Sequence, residues 1–234
     1  MLISASVLYG ADLMKLPDEM TKLKSAGVDW IHIDVADGNF CPEFTFGPMF
    51  VKAMRPYFSG YFEIHAVVDS PIRYVEELKD AGADAVIIPY EADKNPQVTL
   101  RAIRDAGMKS GLAINPGTDV LSARWLLDDM DIFAILAVYP GYGKQTILPA
   151  SYEKIRIAKD MVLSAAHEDV LIEAAGINSI NLPQMLEAGA DVVVAGRDIF
   201  CMSSYEKRVT EYRKIADGIP ESPAVINAKN WKHF

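Results

Sequence analysis

Cysteine is scarce in this sequence: Cys41 and Cys201 are its two cysteines among 234 residues. Two cysteines so far apart in the chain do not make a disulfide framework, so a reducing compartment is the default. No apolar run approaches the roughly 20 residues needed to cross a bilayer. The first residues also lack the basic start and long apolar core of a signal peptide. We therefore expect a cytoplasmic protein without a membrane-spanning segment.

Basic residues are outnumbered by acidic ones, 23 Lys and Arg against 32 Asp and Glu, which gives a net charge of −9. The Lys and Arg residues form no cluster that could follow a phosphate backbone, which argues against a nucleic-acid partner. No linker or low-complexity stretch divides the chain. Because half of its residues are hydrophobic, a chain of this length can bury one substantial core. We expect a single domain.

What the sequence does contain is a repeated phrase, in which the end of a helix is followed by Ala-Gly, a short turn and an apolar strand. It occurs as LKSAGVDWIHID (23–34), LKDAGADAVIIP (78–89) and MLEAGADVVVAG (185–196), with a looser copy at 103–115. Glycine at this point fits the left-handed position that ends a helix. Nearly continuous apolar strands are expected where both faces of a sheet are covered. The repeat predicts βα units around a parallel sheet.

Hydrophobic periodicity predicts eight strands and eight helices. The strands are expected at 2–6, 30–35, 61–67, 84–89, 109–114, 132–138, 169–174 and 191–195, and the helices near 11–26, 48–57, 71–81, 95–106, 118–128, 150–165, 180–188 and 203–216. This count indicates an α/β fold of the (β/α)8 or TIM-barrel class. A doubly wound open sheet is the alternative, but its G-x-G-x-x-G fingerprint is missing after the first strand.

The last part of the chain differs from the rest. We place the barrel in residues 1–218 and a C-terminal tail in residues 219–234. The tail contains two prolines and no helical period. It is expected to pack on the outside of the barrel or to be partly disordered.

An imidazole and a carboxylate stand two residues apart at the end of the second predicted strand, as His32 and Asp34 in WIHIDVADGNF. Residues two apart in a strand project to the same face, and the chemistry of a barrel lies at the carboxyl ends of its strands. His65 stands near the end of the third strand. These three side chains would suit a divalent metal such as Zn, Mn or Fe. A buried His–Asp pair without a ligand is the alternative.

Glycines stand in the loops after the last three strands, and the loop after strand 6 is rich in them. Gly176 and Gly196 follow strands 7 and 8, where barrels commonly bind phosphate, and Arg197 would add a charge-assisted contact. The loop after strand 6 is predicted to close over a substrate through Gly141, Tyr142, Gly143 and Lys144. The alternative is that these glycines form ordinary turns and that Arg197 is a surface residue.

Four motifs together resemble the ribulose-phosphate 3-epimerase family: WIHIDVADGNFCPEFTFGP, GLAINPGT, YPGYGKQ and AGRDIF. The resemblance covers about residues 2–200 and implies a barrel of the ribulose-phosphate-binding type, for which homo-oligomers are usual. Members of the family invert C3 of a ketose phosphate through an enediolate. By position, the resemblance implies that Ser6 and His65 contact substrate, that His32, Asp34 and His65 fill three of four metal-ligand positions, and that Asp34 is an acid/base.

The resemblance breaks in the seventh strand. The family has an Asp followed by two glycines there. When the sequence is anchored on Gly176, that Asp aligns with Ala174, which can neither bind a metal nor carry a proton, so the fourth ligand is missing. Glu173 is the candidate second acid/base. Strand alternation is expected to point it away from the barrel interior, unless a bulge or deletion turns it inward.

Other positions drift from the family pattern as well. Ala36, Val67 and Leu136 replace methionines over the substrate, and Pro89 replaces a histidine of strand 4. We expect a sugar-phosphate 3-epimerase acting on a small phosphosugar, with an altered reaction or a non-catalytic phosphosugar-binding barrel as alternatives. A lyase or decarboxylase is a weaker alternative. The loop around Arg197 resembles the keto-gulonate-phosphate decarboxylases, but the Asp-x-Lys-x-x-Asp array of that family is absent.

Overall fold

The computed structural model describes residues 1–142 and 145–231. Within these ranges, eight parallel strands pair in chain order and close into a barrel, β8 pairing with β1. The strands are β1 (Leu2–Ser6), β2 (Trp30–Ala36), β3 (Tyr61–Val67), β4 (Ala85–Pro89), β5 (Lys109–Ile114), β6 (Ile132–Leu136), β7 (Leu171–Ala175) and β8 (Val192–Ala195). The predicted single-domain (β/α)8 barrel is confirmed.

Helices cover the outside of the barrel and its N-terminal end. They are α1 (Leu16–Ala26), α2 (Pro48–Met54), α3 (Val75–Ala81), α4 (Pro96–Asp105), α5 (Ala150–Ser164), α6 (Leu182–Glu187), α7 (Arg197–Phe200), α8 (Tyr205–Ile215) and α9 (Pro223–Ala228). Across the described residues, none of these helices has the length and apolar character needed to span a membrane.

The segment between β5 and β6 differs from its prediction. A helix was expected near 118–128, but the structure has two 3-10 turns, Val120–Ala123 and Leu127–Asp129. The predicted apolar face is present, since Val120, Ala123, Leu127 and Met130 are buried. The turns close through i→i+3 hydrogen bonds, such as that from the Arg124 N–H to the Leu121 carbonyl. Apolar residues three apart are compatible with either kind of helix, so the sequence pattern did not distinguish them.

Strand alternation divides the apolar residues into two layers. In β2, Ile31, Ile33 and Val35 belong to the core between the sheet and the outer helices. Trp30 belongs instead to the cluster inside the barrel. The same alternation sends the polar members of β2 into the barrel interior.

The glycines of the repeated phrase adopt the conformation that the sequence predicts. Gly27, Gly82 and Gly189 have φ values of +80°, +93° and +108°. The N–H groups of Gly27 and Gly82 bond to carbonyls of the last turn of the preceding helix. A residue with a Cβ would be strained at this φ, so glycine ends each helix and frees the chain to enter the next strand.

Four aspartates, each directly before an even-numbered strand, clasp the preceding odd-numbered strand. Each donates its N–H to the carbonyl of one residue and accepts the N–H of that same residue on its carboxylate. The four pairs are Asp29–Ile3, Asp84–Phe62, Asp131–Ser110 and Asp191–Ile172, with N–H to carboxylate distances of 2.7, 2.7, 3.0 and 3.0 Å. The carboxylates also form ion pairs with Arg213, Arg55, Lys109 and Lys159. The clasps fasten the N-terminal end of the barrel, the end that contributes to stability rather than to chemistry in barrels of this kind.

The C-terminal segment closes this same end of the barrel. The sequence of this segment shows no helical period, yet the segment forms the helix α9. Ser222 caps the first turn of α9, because its hydroxyl oxygen accepts a hydrogen bond from the Val225 N–H at 3.3 Å. Val225 is buried against the inner cluster, and the Trp231 ring stacks on Trp30 with centroids 5.7 Å apart. The Ser222 hydroxyl also donates to Asp191 at 2.6 Å, which ties the helix to the fourth clasp.

Candidate active site

Neighbouring strands bring the predicted rim residues side by side. Ser6 of β1 pairs in register with His32 of β2, and Asp34 of β2 pairs with His65 of β3. Since residues in register in parallel strands share a face, the four side chains enter the barrel together. The sequence-based expectation about their placement therefore matches the structure.

The Asp34 carboxylate is the centre of this group. Its Oδ1 lies 3.2 Å from His32 Nε2 and 3.1 Å from His65 Nδ1, and its Oδ2 accepts a hydrogen bond from the Ser6 hydroxyl at 3.1 Å. The Asp34 side chain keeps 19% of its surface exposed, whereas the histidine side chains keep 4% and 6%. Asp34 is thus the most accessible of these three side chains.

Electrostatics within the group follow from burial and charge. Burial by itself would raise the pKa of Asp34, but the charge and hydrogen bonds of His32 and His65 outweigh it and hold that pKa well below its usual range. Burial would lower the pKa of His32, but Asp34 and Glu63 outweigh it and raise that pKa well above its usual range. The carboxylate is therefore ionised at neutral pH.

A second polar layer lies directly beneath His32, and most of its residues were not predicted from the sequence. Glu63 Oε2 lies 2.8 Å from His32 Nδ1 and accepts the Ser4 hydroxyl at 2.7 Å. The carboxyl of Glu173 lies beside that of Glu63, with one oxygen of each within 4.8 Å of the other. Glu63 and Ser4 each stand two residues before a rim residue in their strand, so the alternation that selected His65 and Ser6 could also have selected them.

The predicted orientation of β7 is wrong by one residue. Glu173 was expected to point away from the interior, yet it is buried inside the barrel beside Glu63. Ala174, to which the missing Asp was aligned, packs in the outer core, whereas Ala175 lines the pocket. The register of β7 sets which of its side chains point inward, since Glu173 pairs with Ala134 of β6 and with Val192 of β8. The inward rim position of β7 is therefore held by Ala175.

Three donor atoms in the group fit a divalent cation. One donor atom each of His32, Asp34 and His65 lies within 4.8 Å of the other two, and two imidazoles with one carboxylate are a donor set that Zn, Mn or Fe accepts. The contact between His32 Nδ1 and Glu63 is the outer carboxylate that metal-binding histidines commonly have. Alanine at position 175 supplies no ligand, so β7 does not complete the set.

A cavity of about 510 Å³ opens above this group. Its walls come from the loops after β1, β2, β6, β7 and β8. The predicted residues in its lining are Ser6, His32, Asp34, His65, Gly141, Tyr142, Gly176, Gly196 and Arg197, together with Ala36, Val67 and Leu136. Gly143 and Lys144, also predicted to bind substrate, lie outside the described residues. Pro89 is buried in β4.

The β7 and β8 side of the cavity has the features expected of an anion site. A Cβ at Gly196 would lie 3.1 Å from the Ser6 carbonyl oxygen, so glycine allows the backbone to approach the pocket closely. Arg197 is exposed at the rim, and no described residue accepts a hydrogen bond from its guanidinium. Asp198, next to it, accepts the Ser179 N–H at 3.0 Å and the Tyr212 hydroxyl at 2.7 Å. Arg197 is therefore free to meet an anion.

One further polar pair in the wall was not predicted. The Tyr9 hydroxyl donates to Glu43, and both residues line the cavity. Burial, together with the charge of Glu43, raises the pKa of Tyr9, so the phenol stays protonated. The sequence could not predict this pair, because Tyr9 and Glu43 are 34 residues apart in the chain.

Comparison with known proteins agrees with the geometry. Residues 2–200 match the ribulose-phosphate 3 epimerase family. The chain is 34% identical to the ribulose-phosphate 3-epimerase of Bacillus subtilis (89% of this chain, 97% of that protein) and 32% identical to that of Escherichia coli K12 (91% and 94%). Among solved structures, the tryptophan synthase α-subunit of Pyrococcus furiosus has a TM-score of 0.67 at 15% identity, covering 91% of this chain and 97% of that one. With sequence similarity over nearly its full length and a rim built from that family's strand-2 and strand-3 residues, the chain belongs to the ribulose-phosphate 3-epimerase family.

Proposed function

We propose that the protein interconverts C3 epimers of a ketose phosphate, with Asp34 as an acid/base. The observation that carries the proposal is the position of the Asp34 carboxylate. It lies at the floor of the cavity, partly exposed, with its oxygens oriented by His32, His65 and Ser6. We also propose that the protein is cytoplasmic and forms a homo-oligomer, as predicted from the sequence.

Epimerisation at C3 requires a proton to leave one face of the carbon and another to arrive on the opposite face. An ionised Asp34 accepts the first proton as the enediolate forms. Solvent water in the cavity supplies the proton for the opposite face, and Asp34 afterwards releases its own proton to solvent. Ser6 and His65 keep its oxygens aimed into the cavity. Glu173 was predicted from the sequence as the second acid/base, but its carboxyl is buried a layer below the cavity floor, behind His32, and does not line the cavity, so we do not propose that role for it.

We infer that His32, Asp34 and His65 hold a divalent cation of the Zn, Mn or Fe type. When bound, such a cation supplies positive charge that stabilises the negative charge developing on the substrate oxygens. Glu63 keeps the His32 ring oriented for this purpose through Nδ1. The missing ligand of β7 leaves a set of three protein donors, as catalytic metal sites commonly have.

We infer that the phosphate of the substrate lies on the β7 and β8 side of the cavity. Gly176 and Gly196 let the backbone approach phosphate oxygens there, and Arg197 adds a charge-assisted hydrogen bond. A phosphate in this position places the ketose carbons over Asp34. The other loops, with Tyr142 and the predicted Gly143 and Lys144, would cover the substrate.

Exchange of the substrate C3 proton with solvent tests the proposal. Ribulose 5-phosphate, xylulose 5-phosphate, allulose 6-phosphate and fructose 6-phosphate are each incubated with the cation-supplemented protein in D2O, and loss of the C3–H signal is followed by NMR. We expect exchange with at least one of them, abolished in Asp34→Asn. Asp128→Asn is the matched control, because the Asp128 side chain is 85% exposed and outside the cavity lining.

A second function is favoured by Ala175, since a rim without the β7 carboxylate could bind a phosphosugar without turning it over. Thermal shift measurements with the same four sugars distinguish the two. Stabilisation by a ketose phosphate without any C3 exchange would establish the binding function and refute the epimerase. Exchange that survives in Asp34→Asn would refute the role of Asp34.

A further inference from the structure

Two carboxyl groups are buried together in the barrel beneath the active site. Glu63 is 0% and Glu173 is 1% exposed, and one oxygen of each carboxyl lies within 4.8 Å of the other and of a His32 ring nitrogen. Neither residue lines the cavity. Two ionised carboxylates cannot share such a dry space without a large electrostatic cost, so a proton must lie between them.

The surrounding donors indicate which carboxyl carries that proton. The Ser4 hydroxyl and His32 Nδ1 both contact Glu63 Oε2, at 2.7 and 2.8 Å. No described residue donates to Glu63 Oε1 or to Glu173 Oε2. A proton on Glu173 that is donated to Glu63 removes this deficit and leaves the negative charge on Glu63, beside its donors. Burial and the adjacent Glu63 also raise the pKa of Glu173 well above its usual range.

The orientation of His32 depends on this arrangement. An ionised Glu63 can only accept hydrogen bonds, so His32 Nδ1 must carry a hydrogen. The other ring nitrogen, Nε2, then faces Asp34 and the cavity. A carboxylate that orients a histidine from behind in this way commonly controls the affinity of the site in front of it.

We propose that Glu173 is a positioning residue, which holds Glu63 as a fixed acceptor and thereby orients His32 towards the cavity. Its carboxyl acts as a neutral hydrogen-bond donor and transfers no proton to the substrate. The consequences for turnover and for cation binding rest on the proposed function, whereas the orientation of His32 does not.

Glu173→Gln and Glu173→Met form the matched pair that tests this role. The glutamine amide can still donate to Glu63, whereas methionine has a similar length and no donor. Two readouts are used: solvent exchange of the His32 Nδ1 hydrogen, by NMR of histidine-labelled protein, and Zn²⁺ affinity, by calorimetry. We expect Glu173→Gln to match the wild type in both. In Glu173→Met we expect hydrogen exchange to accelerate and Zn²⁺ affinity to fall by about tenfold or more.

Three results would overturn the proposal. The first is Glu173→Met with unchanged hydrogen exchange and Zn²⁺ affinity. The second is Glu173→Gln that keeps both properties but loses C3 exchange, because Glu173 would then carry a proton itself. The third is a wild-type protein in which His32 Nδ1 carries no protected hydrogen. This measurement needs only the wild type, so it tests the proposal even if Glu173→Met does not fold. If the wild type shows the protected hydrogen but no C3 exchange on any sugar, the proposed function fails and the positioning role stands.

Discussion

Ala174 and Ala175 are neighbours in β7, but their side chains lie on opposite faces of the barrel wall. Ala174 packs in the core beneath the outer helices, and Ala175 lines the cavity. The family's strand-7 aspartate must face the substrate, so its structural counterpart in this chain is position 175. Any attempt to restore that aspartate must therefore use the second alanine.

We predict that Ala175→Asp adds the fourth metal ligand and a second acid/base. Zn²⁺ affinity, measured by calorimetry, should rise by about tenfold or more, and C3 exchange of a ketose phosphate should accelerate. Ala174→Asp is the matched control. It buries a carboxylate in an apolar layer and should destabilise the protein by about 3 kcal/mol or more, without a gain in affinity. An Ala175→Asp protein that binds Zn²⁺ no better than the wild type would contradict the assignment.

The same pair shows what the sequence could and could not predict. His32, Asp34 and His65 were placed correctly because each strand is long and apolar and its end is marked by a specific motif. In β7, the motif was anchored by aligning Gly176 with the family's second glycine, whereas the inward position of Ala175 makes Gly176 the counterpart of the first. The inward face of a strand is set by its pairing with β6 and β8, and periodicity within five residues cannot supply that information.

Polar contacts across the barrel were the other part that the sequence did not reveal. The Ser4–Glu63 and Tyr9–Glu43 hydrogen bonds join residues 59 and 34 positions apart. Single-sequence patterns describe local periodicity, and partners so far apart are brought together only when the barrel closes. The aspartate clasps are an intermediate case: the Ala-Gly phrase contains three of the four aspartates, but their bonds to the preceding strand appear only in the structure.

The clasps give a stability prediction. Asp191 accepts the Ile172 N–H at 3.0 Å, pairs with Lys159 at 2.8 Å and accepts the Ser222 hydroxyl at 2.6 Å. Asp191→Ala leaves these donors unpaired at a nearly buried position, so the free energy of unfolding should fall by about 3–5 kcal/mol. Urea unfolding measures this fall.

Asp128→Ala is the control for the clasp, since its side chain is 85% exposed and surface substitutions usually change stability by less than about 0.5 kcal/mol. Equal unfolding midpoints for the two variants would show that the clasp contributes nothing. Cation binding at the opposite end of the barrel should be unchanged in Asp191→Ala at temperatures where it is folded.

Closure of the barrel by α9 gives a third prediction. Val225 is 1% exposed within the inner cluster, whereas its neighbour Ile226 is 56% exposed. Val225→Asp loses the burial of an apolar side chain and places a carboxylate in its site, which should cost about 3 kcal/mol or more. Detachment of α9 should also shift the tryptophan emission to the red, because Trp231 stacks on Trp30 there.

Ile226→Asp is the matched variant on the same helix and should leave both the emission and the unfolding midpoint close to those of the wild type. If both substitutions are equally harmless, the helix does not close the barrel. If both are equally harmful, exposure at position 226 does not reflect its environment in solution.

The last prediction concerns the anion side of the cavity. Arg197 is exposed at the rim, next to Gly196, and no described residue pairs with its guanidinium. If it binds the substrate phosphate, Arg197→Ala should weaken the binding of a ketose phosphate by about 10- to 100-fold, since charge-assisted hydrogen bonds contribute about 1.5–3 kcal/mol. The binding of the same ketose without its phosphate should be unchanged, because its sugar carbons lie over Asp34 instead.

Arg156→Ala serves as the control, because Arg156 is an exposed residue of α5 whose ion pair with Glu153 is also at the surface, where such pairs contribute little. Calorimetric titration of both variants with the phosphorylated and the unphosphorylated sugar gives four comparisons. The prediction requires a large loss of affinity in only one of these comparisons, the binding of the phosphorylated sugar to Arg197→Ala. An equal loss for both sugars would place Arg197 beside the ketose carbons rather than the phosphate, and would reverse the direction in which the substrate lies across the cavity.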